Sequence, residues 1–110
     1  MTFAEFQKIH DELLKVEKTL MNTKGVEYTE GIDSRFRNFE VIAAELETTP
    51  ERVLWVYVRK HLQAIVYYLK QGHEASDEKI ISRIQDVRNY LLLLSAMIIE
   101  RQTQERDKQV

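Results

Sequence analysis

Glu78, Ser82, Gln85, Asp86 and Asn89 recur at helical spacing within the segment 76–101, SDEKIISRIQDVRNYLLLLSAMIIER. At about 100° per residue they share one narrow helix face. Oxygen ligands on such a face suit Mg2+ or Mn2+. A carboxylate stripe beside an apolar seam is also how metal and nucleotide sites are built into helix bundles. Asp86 and Asn89, one turn apart, are the tighter pair. Glu78 and Asp86 stand roughly 12 Å apart on an axis rising about 1.5 Å per residue, too far for both to bind one metal ion. Glu78 and Asp86 are the candidate metal ligands, with Mg2+ the candidate ion, and Asn89 is a candidate ligand-binding residue. An ordinary solvated acidic face has the same pattern.

Upstream, Tyr57, His61, Ala64 and Tyr68 follow one another at spacings of four, three and four, with Lys60 alongside. Aromatic rings beside a histidine and a lysine can stack a base and hold a phosphate. The plainer alternative is that the rings edge the core with their polar tips wet. Arg35 and Arg37 straddle Phe36 where a helix is expected to begin. Cations are unfavourable at a positive helix end, so the pair fits an anion clamp working with free backbone N–H groups. They fit equally well as solvated or ion-paired side chains. His10, His61 and His73 have no spacing that suggests zinc.

Four helices are expected to position these groups. The first opens at Thr2, with Glu5 three residues on, and carries Phe3, Phe6, Ile9, Leu13, Val16 and Leu20 as a buried stripe. It is expected to end between Asn22 and Lys24 at Gly25, followed by a loop of about ten residues of the kind that is often functional. The second starts near Asp33 or Ser34, runs to about Glu47, and buries Phe36, Phe39, Ile42 and Leu46. Thr48-Thr49-Pro50-Glu51 is a stop followed by a start. The third helix spans Pro50 to Gln71, closes at Gly72, and has Leu54, Val58, Leu62, Ile65 and Leu69 as its core face. Ser76 is expected to cap the last helix, with Asp77 and Glu78 in its first turn. Residues 1–101 form a single helical domain on this reading, and 102–110 a polar, frayed tail.

Composition narrows the class. The chain has 110 residues, 31% of them charged, yet its net charge is only −2, which gives no bulk electrostatic signal for nucleic acid. Three glycines and one proline leave little turn chemistry for a β-rich fold, so an all-α four-helix bundle is expected. The absence of cysteine rules out disulfides, thiolate metal sites and a cysteine nucleophile, and fits a reducing cytoplasm. The first residues do not form a signal peptide pattern. The apolar run from Tyr90 to Ile99 is about half of a membrane span, so no membrane partner is expected.

That run nonetheless faces too many directions for a small monomer to cover. Ile80, Ile84, Val87, Leu91, Leu94 and Ile98 form a helix-packing seam, while Leu92 and Ile99 point well away from it. The expectation is a homo-oligomer with the final helix, paired in a long hairpin with the third, at its interface.

Several of these segments resemble a known family. Lys24-Gly25-Val26-Glu27-Tyr28 is similar to the K-N-x-D-Y-G loop of the nucleotide modification-associated domain family of phages and bacteria, a relative of MazG-like all-α NTP pyrophosphohydrolases. Arg35-Phe36-Arg37-Asn38-Phe39 resembles that family's R/P-F-x-N-F segment, and Lys60-His61-Leu62 its K-H-L/D-K-M segment. Its E-S-I-x-D-T-L-x-D-L-x-N-Y pattern falls on Glu78, Ser82, Asp86, Asn89 and Tyr90. The similarity spans about Lys24 to Leu94. Ser82 stands where the family often has Asp, and the E-E-x-x-E motif of MazG enzymes is absent.

The resemblance implies a phage-type, MazG-like helical scaffold in a host cytoplasm that binds a nucleotide or a nucleotide-derived ligand. Lys24, Arg35, Arg37 and Lys60 would meet phosphate. Tyr28, Tyr57, His61 or Tyr68 would stack the base, and Glu78, Asp86 and Asn89 would hold Mg2+ or the sugar or base. The rival readings are a Mg2+-dependent nucleotide pyrophosphohydrolase, an anti-defence sponge for a signalling cyclic nucleotide, and a plain helical interaction module. Hydrolysis of that type uses several carboxylates to hold Mg2+, and Glu78 and Asp86 are a thin set.

Overall fold

The computed structural model describes residues 1–29 and 36–109, with side chains from 23 to 29 outside the described set. Among the described residues the chain is wholly helical: α1 (Phe3–Thr29), α2 (Arg37–Glu45), α3 (Pro50–Gln71) and α4 (Ile80–Lys108). The α3–α4 hairpin is the backbone of the fold, with α2 and α1 packed against it. Among the described residues no helix is long and apolar enough to cross a membrane.

Local chemistry explains most helix boundaries. Thr2 Oγ1 accepts from the Glu5 N–H at 3.1 Å, filling one orphan donor of α1. Thr49 does the same for the Arg52 N–H at 3.4 Å, with Pro50 in the first turn of α3. Gly72 closes α3 at φ 80°, donating to Tyr68 O. The end of α2 is less comfortable. Thr48 N–H donates to Ala43 O and Glu47 N–H to Ala44 O, a Schellman closure. It places Glu47 at φ 54°, where glycine is the unstrained choice.

Two helix limits need correction, and one expected limit falls outside the described residues. First, α1 does not stop at Gly25 but runs to Thr29. One interior glycine costs only about 1 kcal/mol relative to alanine, and no proline follows to break the helix. Second, the expected start of α2 at Asp33 or Ser34 lies outside the described residues, and the described helix begins at Arg37. Third, α4 starts at Ile80 rather than after Ser76, so Glu78 precedes the helix. The Ser76 hydroxyl instead accepts from Glu78 N–H at 3.4 Å and from an Arg83 N–H at 3.2 Å. At the other end α4 remains helical from Gln102 to Lys108, with side chains exposed.

The core is small. Phe39, Ala43, Val53, Leu54 and Met97 form its centre, and Phe36, Ile42, Tyr57, Tyr90, Leu93 and Leu94 pack around it. Leu54 and Val58 are buried as expected, while Leu69 is 76% exposed. On α1, Phe3, Phe6, Ile9 and Val16 are exposed rather than buried, and all of residues 1–12 face solvent. On α4 the buried side chains are Gln85, Asp86, Asn89 and Met97, whereas Ile84, Leu91 and Ile98 of the expected seam are exposed. The helix therefore turns Gln85, Asp86 and Asn89 of its polar stripe inward, while its apolar seam is split between half-buried Ile80, Val87 and Leu94 and exposed Ile84, Leu91 and Ile98. Ion pairs fasten the assembly: Arg101 to Glu51 at 2.6 Å joins α4 to the start of α3, and Arg88 to Glu17 at 3.2 Å joins α4 to α1.

Candidate functional site between α3 and α4

His61 comes from the middle of α3, Glu78 from the turn before α4, and Asp86 from the second turn of α4. One ligand-capable atom from each lies within 4.8 Å of the others. This corrects the 12 Å separation expected for Glu78 and Asp86. Because α4 begins at Ile80, the backbone at Glu78 is not helical and its carboxylate folds back over the first turns. His61 and Asp86 are about nine-tenths buried, whereas the Glu78 side chain is 37% exposed.

Arg83 links Glu78 to His61, and the sequence reading did not include it. Its Nε reaches Glu78 Oε2 at 3.2 Å, one terminal nitrogen donates to His61 Nδ1 at 3.4 Å, and the other donates to Ser76 Oγ at 3.2 Å. A guanidinium has only donors, so Nδ1 must accept and the imidazole proton sits on Nε2. Nε2 faces Asp86 Oδ2 at 3.9 Å. Burial lowers the His61 pKa from its ordinary 6.5; the field of Asp86 opposes this, Arg83 adds to it, Glu78 opposes it and Lys60 adds to it. The signal for Arg83 was its position, three before Asp86 and five after Glu78, but a lone arginine on a charged helix carries no pattern of its own.

Two buried acceptors on the same helix as Asp86 lack an internal hydrogen-bond partner: Asn89 Oδ1 and Gln85 Oε1. Asn89 follows Asp86 by one turn on the same buried side. Gln85 lies on the flank shared with Arg88 and Leu92, the residues that meet α1. An unpaired buried carbonyl costs about 1–3 kcal/mol, so retaining two calls for a reason.

The remaining candidates fall into three groups. Tyr57 is half-buried in the core, edge-on to Phe39 at 5.7 Å and stacked on Tyr90 at 5.9 Å, while His61 sits 5.6 Å from the same Tyr90 ring. Tyr57 therefore packs the core, and its face is taken by the protein's own rings. Arg37 and Lys60 are exposed, and the cation at the cluster is Arg83. Lys24 and Tyr28 fall in the last turns of α1, where side chains lie outside the described set, and Arg35 lies outside the described residues.

The donor set fits a divalent ion in type and number: two carboxylates, one imidazole, and a carbonyl oxygen one turn away. The imidazole shifts the preference from Mg2+ towards Mn2+ or another first-row ion. As it stands the centre is closed on itself, with Arg83 as its cation. Two mainly apolar clefts lie elsewhere, about 500 Å3 between α1 and α4 and about 330 Å3 between α2 and α3. Comparison of the chain with known protein families, characterised proteins and solved structures returns no match.

Proposed function

We propose that this chain binds a phosphorylated nucleotide through a divalent cation held by His61, Glu78 and Asp86, and retains the ligand without cleaving it. The observation that carries the reading is the convergence of those three groups within 4.8 Å; Asn89, one turn after Asp86, carries a buried oxygen without a partner. A 2+ ion balances two carboxylates better than one guanidinium does. In this reading it takes the place Arg83 holds between Glu78 and His61. Arg83, released, offers its planar fork of donors to a phosphate, the geometry arginine matches best. Lys60, exposed one residue from His61, adds positive charge at the rim. Tyr68, half-buried two turns beyond His61, is the ring available to a base, since Tyr57 is engaged in the core.

Binding without turnover is favoured by the state of His61. With Arg83 displaced, Nδ1 is given to the ion and Nε2 carries the proton facing Asp86, so no imidazole lone pair is free to activate water. Two carboxylates are also few for metal-assisted hydrolysis of a triphosphate. The resemblance to the MazG-related nucleotide modification-associated domain family agrees in ligand class.

Calorimetry of the full chain tests the proposal. It uses Mn2+ and Mg2+ alone, then nucleoside triphosphates and cyclic dinucleotides with and without the ion, followed by mass analysis of the recovered ligand. Cation-dependent binding of an intact ligand, lost in Asp86→Asn, is expected. No binding under any of these conditions would sink the reading, and recovery of pyrophosphate would replace it with a hydrolase.

A further inference from the structure

Among the described residues, the α3–α4 hairpin leaves one broad face uncovered. On α3, Trp55, Val66 and Leu69 are 48%, 48% and 76% exposed; on α4, Ile84, Leu91 and Ile98 are 39%, 42% and 43% exposed. The α4 residues repeat every seven positions and belong to the Ile80–Ile98 seam, which carries no charge at any of its six positions. Both stripes lie on the same side. α2 packs on α3 at Val53 and Leu54 and on α4 at Met97. At about 100° per residue, the exposed residues of each helix fall on the flank opposite those contacts. The apolar face is therefore continuous across the hairpin and opposite α2.

The size of the uncovered surface indicates what covers it. The chain exposes 8402 Å2. A folded monomer of 13.1 kDa is expected to expose about 6,400 Å2. The excess, about 2,000 Å2 per chain, is shared between this face, the solvent-facing start of α1 and the exposed end of α4, and it leaves room for the roughly 800 Å2 that each partner of a standard interface buries. Its radius of gyration tells the same story: 16.6 Å, against about 13 Å for a compact domain of this length. A heptad seam of Ile, Val and Leu without charge is self-complementary, which a two-fold interface requires.

We infer that two copies of this chain pack face to face through the α3–α4 hairpin, with Leu91 and Ile98 of each copy in a four-helix interface core. The inference rests on uncovered surface and seam spacing, and is independent of the ligand proposed for His61, Glu78 and Asp86.

Sedimentation equilibrium of the full chain tests it. The wild type is expected at twice the 13.1 kDa chain mass. The double variant Leu91→Asp/Ile98→Asp is expected to weaken association at least ~100-fold, because it places unpaired charges in an apolar interface. Phe6→Asp, on the separate exposed stripe of α1, should leave the dimer intact. Should the double variant fail to fold alone, the wild type still reports: its melting temperature should rise with concentration between ~1 and ~100 μM. A monomeric wild type with concentration-independent melting overturns the inference. So does an assembly of any size that survives the double variant, or one that only Phe6→Asp disrupts.

Discussion

Asn89→Leu separates a ligand-binding role for the buried polar stripe from a purely structural one. Asn89 is 6% exposed, and its Oδ1 has no hydrogen-bond partner. Leaving that oxygen unpaired costs about 1–3 kcal/mol, which a leucine of the same branching removes. The leucine also adds buried apolar surface, set against about 1 kcal/mol or more of crowding if the site cannot relax. The net expectation is a gain of about 1–2 kcal/mol. At about 4 °C per kcal/mol for a chain of this size, the melting temperature should rise by roughly 4–8 °C. Thermal melts followed by circular dichroism at matched protein concentration measure this directly. The same melts with Mn2+ and a nucleoside triphosphate measure the cost to function. Ligand at a hundred times its dissociation constant should stabilise the wild type by about 2.7 kcal/mol and the variant by much less. Gain of stability with loss of ligand response is the signature of a polar group kept for binding. Loss of more than about 1 kcal/mol together with an undiminished ligand response would refute the reasoning, because Asn89 would then be satisfied within the fold.

Other perturbations follow from the same geometry. The folded chain holds His61 below its ordinary 6.5, chiefly by burial, so it binds fewer protons there than the unfolded chain does. That contribution to stability is present above about pH 6.5 and is lost as the pH falls into the window below it. Denaturant titrations at stepped pH should show this slope in the wild type and not in His61→Gln. NMR titration should find the His61 pKa raised in Arg83→Gln and lowered further in Asp86→Asn, since those groups act on it in opposite directions; shifts of the reverse sign would disprove the placement of Arg83. Leu54 is fully buried among Phe39, Ala43 and Met97, and Leu54→Ala should cost about 2–5 kcal/mol in a denaturant melt. Glu47→Gly should stabilise the chain by about 1 kcal/mol by relieving the left-handed residue at the end of α2, and no change in midpoint would show that the strain is absorbed elsewhere.

The members of the candidate centre could be read from the chain, but its geometry could not. Glu78, Asp86, Asn89 and His61 stood out by residue type and helical spacing. Their convergence depended on α4 beginning at Ile80, because only a non-helical Glu78 can turn its carboxylate towards Asp86. Arg83 was hidden because nothing in sequence separates a bridging arginine from a solvated one. Tyr57 looked available to a base until Phe39 and Tyr90 were found against its ring.

By itself the sequence determined the all-helical class, the limits of α3 at Pro50 and Gly72, and an excess of apolar surface for one small chain. Those properties follow from caps, turn residues and periodicity, which act over a few neighbouring positions. Only the tertiary structure decided which face of α4 is inside. A helix bearing both a polar stripe and an apolar seam can present either to its neighbour, and the choice depends on the partner side chains. Here His61 Nε2 faces the buried Asp86 and Arg83 pairs with Glu78, while Ile84, Leu91 and Ile98 are left on the outside.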